Sequence, residues 1–289
     1  MKTNNRIIAV TGSTGGVGGE LVRLLSTQGA MVRALARNPD KGEKLTGVEW
    51  VKADLTNRSE MMEALKGADS LFLLTGNISD MVFAQKNGIR AAKQAGVRKV
   101  VKMSALGASE HSMSIIGLWH YLVEQALESS GLEWTILRPH AFMQNFLAQK
   151  ASIQKGQLFS AAEDGKVPFI DSRNIAEVAA KVLTRDEWNK QKLVLTGPDA
   201  LSFDDLASAF SKELGIAVKH VRETEDETWQ HLRKEGKTPW VIAGQMALYN
   251  YWKMGGTTAK TTDEVEKITG KKPYSIVEFI RHYKEKFQS

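Results

Sequence analysis

Three glycines spaced three apart limit this chain more than any other feature. Gly12, Gly15 and Gly18 stand in the run Thr11-Gly12-Ser13-Thr14-Gly15-Gly16-Val17-Gly18. Leading into the run, residues 6–11 carry the apolar, mostly β-branched stretch Ile7-Ile8-Ala9-Val10, which predicts a buried strand. Behind it, Val17, Leu21, Leu24 and Leu25 recur at spacings of three and four, which predicts a helix. In a strand-to-helix loop of this kind, Gly12 permits the tight turn and Gly15 lets a pyrophosphate approach the backbone. Gly18 lets the helix pack on the strand. The helix N-terminus turns free N–H groups and a positive dipole end toward the phosphates. Ser13, Thr14 and Val17 belong to the same cradle. No Lys-Ser/Thr pair closes the loop, which disfavours a triphosphate-hydrolysing P-loop. The expected ligand is a dinucleotide.

The strand-then-helix pattern repeats. Further strands are predicted at 31–36, 48–52, 70–74, 97–104 and 134–138. Between them lie helical patterns opened by Asn57 and Ser59, at 82–94 and at 115–130. Such alternation implies an α/β fold, a doubly wound parallel sheet of Rossmann type with helices on both faces. After Arg138 the alternation loosens. Residues 141–153 read as helix and 156–170 as loop and strand. A helix at 172–183, capped by Ser172 or Asn174, and a strand at 192–195 follow. Beyond Gly197-Pro198 the pairs Ser202/Asp205, Thr224/Glu227, Thr261/Glu264 and Ser275/Glu278 each have capping-box spacing. The expected division is a nucleotide-binding domain over 1–155, to which 171–197 return. Residues 156–170 and 198–289 form a smaller, mainly helical substrate domain.

Strand two ends in Leu35-Ala36-Arg37-Asn38-Pro39. A carboxylate there would hold ribose hydroxyls and favour NAD. Arg37 stands there instead, with Lys41 nearby, and an arginine can pair with a 2′-phosphate. NADPH is therefore expected, unless Arg37 is a solvated cation. Asp54-Leu55 ends strand three, where Asp54 either accepts from an adenine amine or caps a turn. Thr75-Gly76 ends strand four, and Gly76 would let a cofactor come close to the backbone.

Composition narrows the chemistry. The 289 residues contain no cysteine, which excludes disulfides, a thiol nucleophile and thiolate metal sites. His111 and His120 lack a neighbouring carboxylate pair, so no metal site is expected. Lysine and arginine total 39 against 33 acids, a net +6 spread along the chain. Aromatic and basic residues do not interleave as a nucleic-acid platform would require. The mild positive field suits an anionic cofactor. No apolar run is long enough to cross a membrane. The run Ile7–Val10 is too short for a secretory leader, so a cytoplasmic protein is expected.

The glycine motif, the Ala36-Arg37 ending, Asp54-Leu55 and a third stretch together resemble the NmrA-like, atypical short-chain dehydrogenase/reductase group. That stretch is Ser130-Gly131-Leu132-x-Trp134-Thr135-x-Leu137-Arg138-Pro139-x-x-Phe142-Met143-Gln144-Asn145-Phe146. The resemblance spans nearly the whole chain. It implies an NADPH-dependent oxidoreductase close to quinone and triphenylmethane-dye reductases, and a homodimer is compatible with it. Some members are non-catalytic dinucleotide sensors.

The resemblance also locates catalytic positions. The wider superfamily uses Tyr-x-x-x-Lys on the helix after strand five, with a Ser or Thr at that strand's end. Ser104 stands at the strand end. Tyr121 is followed four residues later by Gln125, so it does not supply the pair. The register set by Glu124 places His120 at the lysine position and Ile116 at the tyrosine position. Without that acid an ordinary ketone is a poor acceptor, because general acid help is worth roughly 10²–10⁴-fold. Quinones, dye cations and other conjugated acceptors remain. His120 and Ser104 are candidate polar guides, or else a packed histidine and a locally bonded hydroxyl. Lys102 is expected to point away from the nicotinamide. Trp119, Phe142, Met143 and Phe146 are candidate substrate walls, with Gln144 and Asn145 as polar handles. Trp240, Met246, Tyr249 and Tyr251 are a candidate lid, and plain core packing competes for all of these. His140 reads as a pocket-mouth or surface-loop histidine. The competing functions are a redox sensor acting through a protein partner and, less favoured for want of the tyrosine, a sugar-nucleotide epimerase.

Overall fold

The computed structural model describes residues 6–288. In its first half β1 (Ile7–Val10), α1 (Gly16–Thr27), β2 (Met31–Ala36), β3 (Val48–Lys52), α2 (Arg58–Leu65) and β4 (Ala68–Leu73) follow one another. Then come α3 (Met81–Gln94), β5 (Lys99–Met103), α4 (Ile115–Glu128) and β6 (Glu133–Pro139). Later, α6 (Ser172–Thr184) and β8 (Gln191–Leu195) return to the sheet, after α5 (Lys150–Gln154) and β7 (Gln157–Ser160) have formed elsewhere. The seven strands lie in the order β3-β2-β1-β4-β5-β6-β8. Every pairing from β3 across to β6 is parallel. This is the expected α/β, Rossmann-type sheet, with its order reversing between β1 and β4, where such sheets bind ligands. The central strands β4 and β5 are buried along nearly their whole length, Lys99 and Lys102 included, because helices cover both sides. Leu71, Leu73, Val100 and Ile136 sit in a fully buried cluster with Val123 and Leu127 of α4.

The chain forms two compact units. One holds the chain through His111, then Ile116–Pro139 and Ser172–Val194. The other holds Ser112–Ile115, His140–Asp171 and the chain from Leu195 onward. The changeover thus falls at Pro139 and not near residue 155. Met143, Phe146 and Ile153 explain the shift, since they are buried in the second unit's core with Phe169, Phe203 and Phe210.

The second unit has a small parallel sheet of β7 and β9 (Lys219–Arg222), flanked by α7 (Phe203–Leu214), α8 (Glu225–Lys234) and α9 (Pro239–Lys253). The last helices are α10 (Glu264–Thr269), α11 (Ile276–His282) and α12 (Lys284–Gln288). Two local expectations fail there. Residues 141–153 do not wind as one α-helix. Met143 N–H is taken by the Ile170 carbonyl, so Phe142 stays extended and a tight 3₁₀ segment, Met143–Gln149, precedes α5. Capping boxes form at Ser202/Asp205, Thr224/Glu227 and Ser275/Glu278 but not at Thr261/Glu264. Thr262 N–H instead bonds Thr196 Oγ1, and α10 starts after Asp263. Among the described residues no helix is long and apolar enough to cross a membrane.

Candidate active site

The loop between β1 and α1 has the backbone its glycines require. Gly12 adopts φ +64°, and a Cβ at Gly18 would lie 2.2 Å from the Gly12 carbonyl oxygen. Gly15 N–H donates to Gly12 O at 2.9 Å and closes the turn. Ser13 Oγ donates to Leu35 O at 2.8 Å, so this side chain ties the loop to β2. Val17, in the first turn of α1, is buried, while Thr14, Gly15 and Gly16 are exposed. Gly15 is the N-cap of α1, with no capping side chain and no acid in the first turn. The positive helix end is therefore not neutralised locally. A backbone cradle that excludes Cβ atoms and keeps an uncapped helix start fits a pyrophosphate.

Arg37 follows β2 and is exposed. Among the described residues it makes no hydrogen bond or ion pair, although its charge reaches Asp54. Asp54 Oδ1 accepts from Thr56 N (2.8 Å) and Thr56 Oγ1 (2.7 Å). These bonds, aided by Arg37, hold its carboxyl below the ordinary range. Asp54 thus takes its turn-capping role, with Oδ2 left over. Leu55 is half-buried, and its carbonyl accepts from Asn87 Nδ2. Gly76 is exposed, and a Cβ there would meet nothing, so this backbone is open to close approach. Thr75 Oγ1 accepts from Gln85 Nε2 at 2.8 Å. Gln85 is wholly buried and its Oε1 has no partner. Sequence reasoning missed it, because a glutamine inside a helical pattern carries no signal.

Beneath the ends of β5 and β6 lies a buried polar network. Ser104, 3% exposed, donates to Glu124 Oε1. Glu124 also accepts two bonds from Arg138 and lies 3.5 Å from Lys192. Ser104 is therefore the locally bonded hydroxyl, its proton committed to Glu124. On the same strand, Lys102 is fully buried, with Nζ 2.9 Å from Met103 O and 3.0 Å from His120 Nδ1. An ammonium can only donate, so Nδ1 accepts and the ring hydrogen sits on Nε2. No described residue bonds that Nε2. Burial, with no carboxylate in contact, lowers the Lys102 ammonium to about 7. Burial and the Lys102 charge push His120 well below its ordinary value, so the ring stays neutral. The sequence placed His120 here but did not foresee Lys102 as its partner, because strand alternation cannot show which cation reaches across to a helix.

A family model described as the NmrA-like family matches residues 4–283. The chain belongs to the NmrA-like family. A relative, the NAD(P)H azoreductase of Xenophilus azovorans, is 34% identical over 97% of this chain and 99% of its own. The crystal structure of the NADPH-dependent quinone oxidoreductase of Escherichia coli, complexed with NADPH, superposes with a TM-score of 0.87 at 26% identity. It covers 95% of this chain and 99% of that one. The Citrobacter sp. triphenylmethane reductase complexed with NADP(H) gives 0.85 at 25% identity, with the same coverage.

Two of the four expected substrate-wall residues lie in the core instead. Met143 and Phe146 are fully buried in the second unit, where Phe146 packs against Phe169 (5.0 Å) and Phe210 (5.7 Å). Met246 and Tyr249 belong to the same core. A side chain enclosed by its own unit offers no wall. Trp119 and Phe142 remain half-buried, and Asn145 is exposed. His140 is neither a mouth nor a surface residue. It is buried, with Nε2 3.0 Å from Thr258 O and Nδ1 accepting from Ala141 N. Burial lowers it to about 4. Ser160 Oγ lies 2.9 Å from His220 Nε2, while Asp204 Oδ1 lies 3.3 Å from His220 Nδ1 without a hydrogen bond, so a nucleophilic triad is not formed. Ser160 and the His220 ring are wholly enclosed, so no ester carbonyl reaches Oγ and their contact is a structural tie.

Proposed function

We propose that this chain transfers hydride from NADPH to a small conjugated acceptor, a quinone or a dye cation. In class it is an NAD(P)H-dependent oxidoreductase of the NmrA-like family. One observation carries the choice of acceptor. On α4, Ile116 stands where a tyrosine acid is expected, and four residues later a neutral His120 is held by Lys102. Such a site lacks the tyrosine acid that an ordinary ketone requires, so the acceptor must stabilise added electrons by its own conjugation. Two relatives are named for reducing azo compounds and quinones, which are acceptors of this kind.

Reduced nicotinamide supplies the hydride when it is bound. The backbone of Gly12–Gly18 and the start of α1 hold the pyrophosphate, and Gly76 gives the backbone room for the cofactor. Arg37, which no carboxylate ion-pairs among the described residues, would pair with a 2′-phosphate. His120 Nε2–H offers one hydrogen bond to ribose or acceptor. Glu124 and Arg138 keep β5, α4 and β6 in fixed register beneath it. The rate then rests mainly on proximity and orientation. Loss of reduced-nicotinamide absorbance tests the reading, with a benzoquinone, a triarylmethyl dye cation and an unactivated ketone compared. Turnover of the first two and none of the third is expected. Ketone reduction at a similar rate would show a strong acid at work and overturn it.

A further inference from the structure

Lys102 is hard to explain as structure. It is 0% exposed, lies on a central strand, and has no carboxylate within ion-pair distance among the described residues. Burying an unpaired ammonium is costly, and an apolar side chain of similar length would fill the same space. Its contacts are the Met103 carbonyl and His120 Nδ1. Lys102 therefore has one proton to release toward one acceptor nitrogen, on a ring whose other nitrogen no described residue bonds.

We propose that Lys102 and His120 form a proton relay, in which His120 Nε2–H protonates the acceptor while Lys102 Nζ returns a proton to Nδ1. The proposal rests on the hydride-transfer reading above. Two electrons reach the acceptor with the hydride. The Nε2–H bond breaks, and its proton bonds to the reduced oxygen or nitrogen of the acceptor. Lys102 gives one proton to Nδ1 and becomes a neutral amine. The imidazole stays neutral, its hydrogen moved from Nε2 to Nδ1. A solvent proton at Nε2 then drives the Nδ1 proton back and restores Lys102. His120 is the residue that touches the acceptor. Lys102 acts through it, as a positioning residue and proton reservoir.

The groups that set Lys102's readiness all lie close by. Glu124 on α4 favours the ammonium, while burial and Arg138 on β6 oppose it. His120 is kept neutral by burial and by Lys102 itself. A lysine with a midpoint of about 7 can both hold and release a proton in neutral solution.

Two acceptors separate the relay from hydride transfer. A quinone needs a proton with its hydride, whereas a triarylmethyl cation is neutralised by hydride alone. In the wild type the quinone-to-dye turnover ratio should fall as pH rises through about 7. In Lys102→Met that ratio should drop by roughly 10²-fold at neutral pH. Lys102→Arg keeps the charge and the hydrogen bond but cannot release the proton, so its ratio should drop likewise. A ratio that is flat with pH and unchanged in both variants overturns the relay and leaves hydride transfer standing. If the wild type turns over neither acceptor, the hydride reading falls and takes the relay with it. A readout independent of turnover uses nucleotide-free protein labelled with ¹³C-lysine. NMR should show one lysine with a midpoint of about 7, lost in Lys102→Arg, beside Lys99 at about 8. Lysines that all titrate near their ordinary value would overturn the proposal even if Lys102→Met failed to fold.

Discussion

At the scale of single residues, charge and its partners separate binding from structure. Arg37 is exposed and unpaired among the described residues, so its removal should barely affect folding. Arg37→Ala should reduce the preference for NADPH over NADH by about tenfold or more, the value of a charge-assisted hydrogen bond. The ratio of the two kcat/KM values checks this, and an unchanged ratio would show Arg37 to be a solvated cation. Glu124 is the opposite case. It is fully buried beneath Ser104, Arg138 and Lys192. Glu124→Ala strands Arg138 and should cost about 3 kcal/mol or more, read from the urea midpoint. The glycine spacing was legible because Gly12 takes a positive φ and Gly18 leaves no room for a Cβ, so both positions demand glycine. The roles of Lys102 and Gln85 were not. A buried polar side chain looks the same in sequence as an exposed one until its partner, such as His120 18 residues later, is brought to it.

At the scale of elements, local signals and tertiary ties compete. Ser202, Thr224 and Ser275 cap their helices as their spacing predicts, because the cap and its N3 acid lie within one turn. Thr261 fails although its spacing is the same, since the tie between Thr262 and Thr196 bridges 66 residues. Ser202→Ala should therefore cost about 1 kcal/mol, and Thr261→Ala much less. Paired denaturation curves check the contrast. Strand and helix order through β6 was legible from periodicity. The β7–β9 sheet was not, because Lys219–Arg222 is a four-residue strand with one aliphatic side chain. The aromatic residues of 142–146 were ambiguous for a related reason. Helical spacing marks a residue as facing something apolar but does not say whether that is a ligand or the unit's own core, and for Met143 and Phe146 it is the core.

At the scale of the whole molecule, buried bases set the response to pH. His140 falls from 6.5 to about 4 on folding, and His120 shifts the same way. Between these values the unfolded chain binds more protons than the native one. The histidine contribution to stability is therefore complete above about 6.5 and is lost as pH falls toward 4, by on the order of 3 kcal/mol for His140 alone. Lys102 and Lys99, lowered to about 7 and 8, act in the same sense at higher pH. Stability should rise further between about 7 and 10.5 as the unfolded lysines lose their advantage. Urea midpoints at about pH 5, 7 and 9 should increase in that order. His140→Gln should flatten the acid limb.

The most direct test of hydride transfer is a single turnover. The protein is loaded with one equivalent of NADPH, binding is confirmed by nicotinamide fluorescence, and a benzoquinone is added in a stopped-flow mixer. Rapid oxidation of the bound cofactor, with the same protein leaving an unactivated ketone untouched, is the expected result. Tight NADPH binding that persists unoxidised with every acceptor would contradict it and identify the chain as a sensor of its dinucleotide.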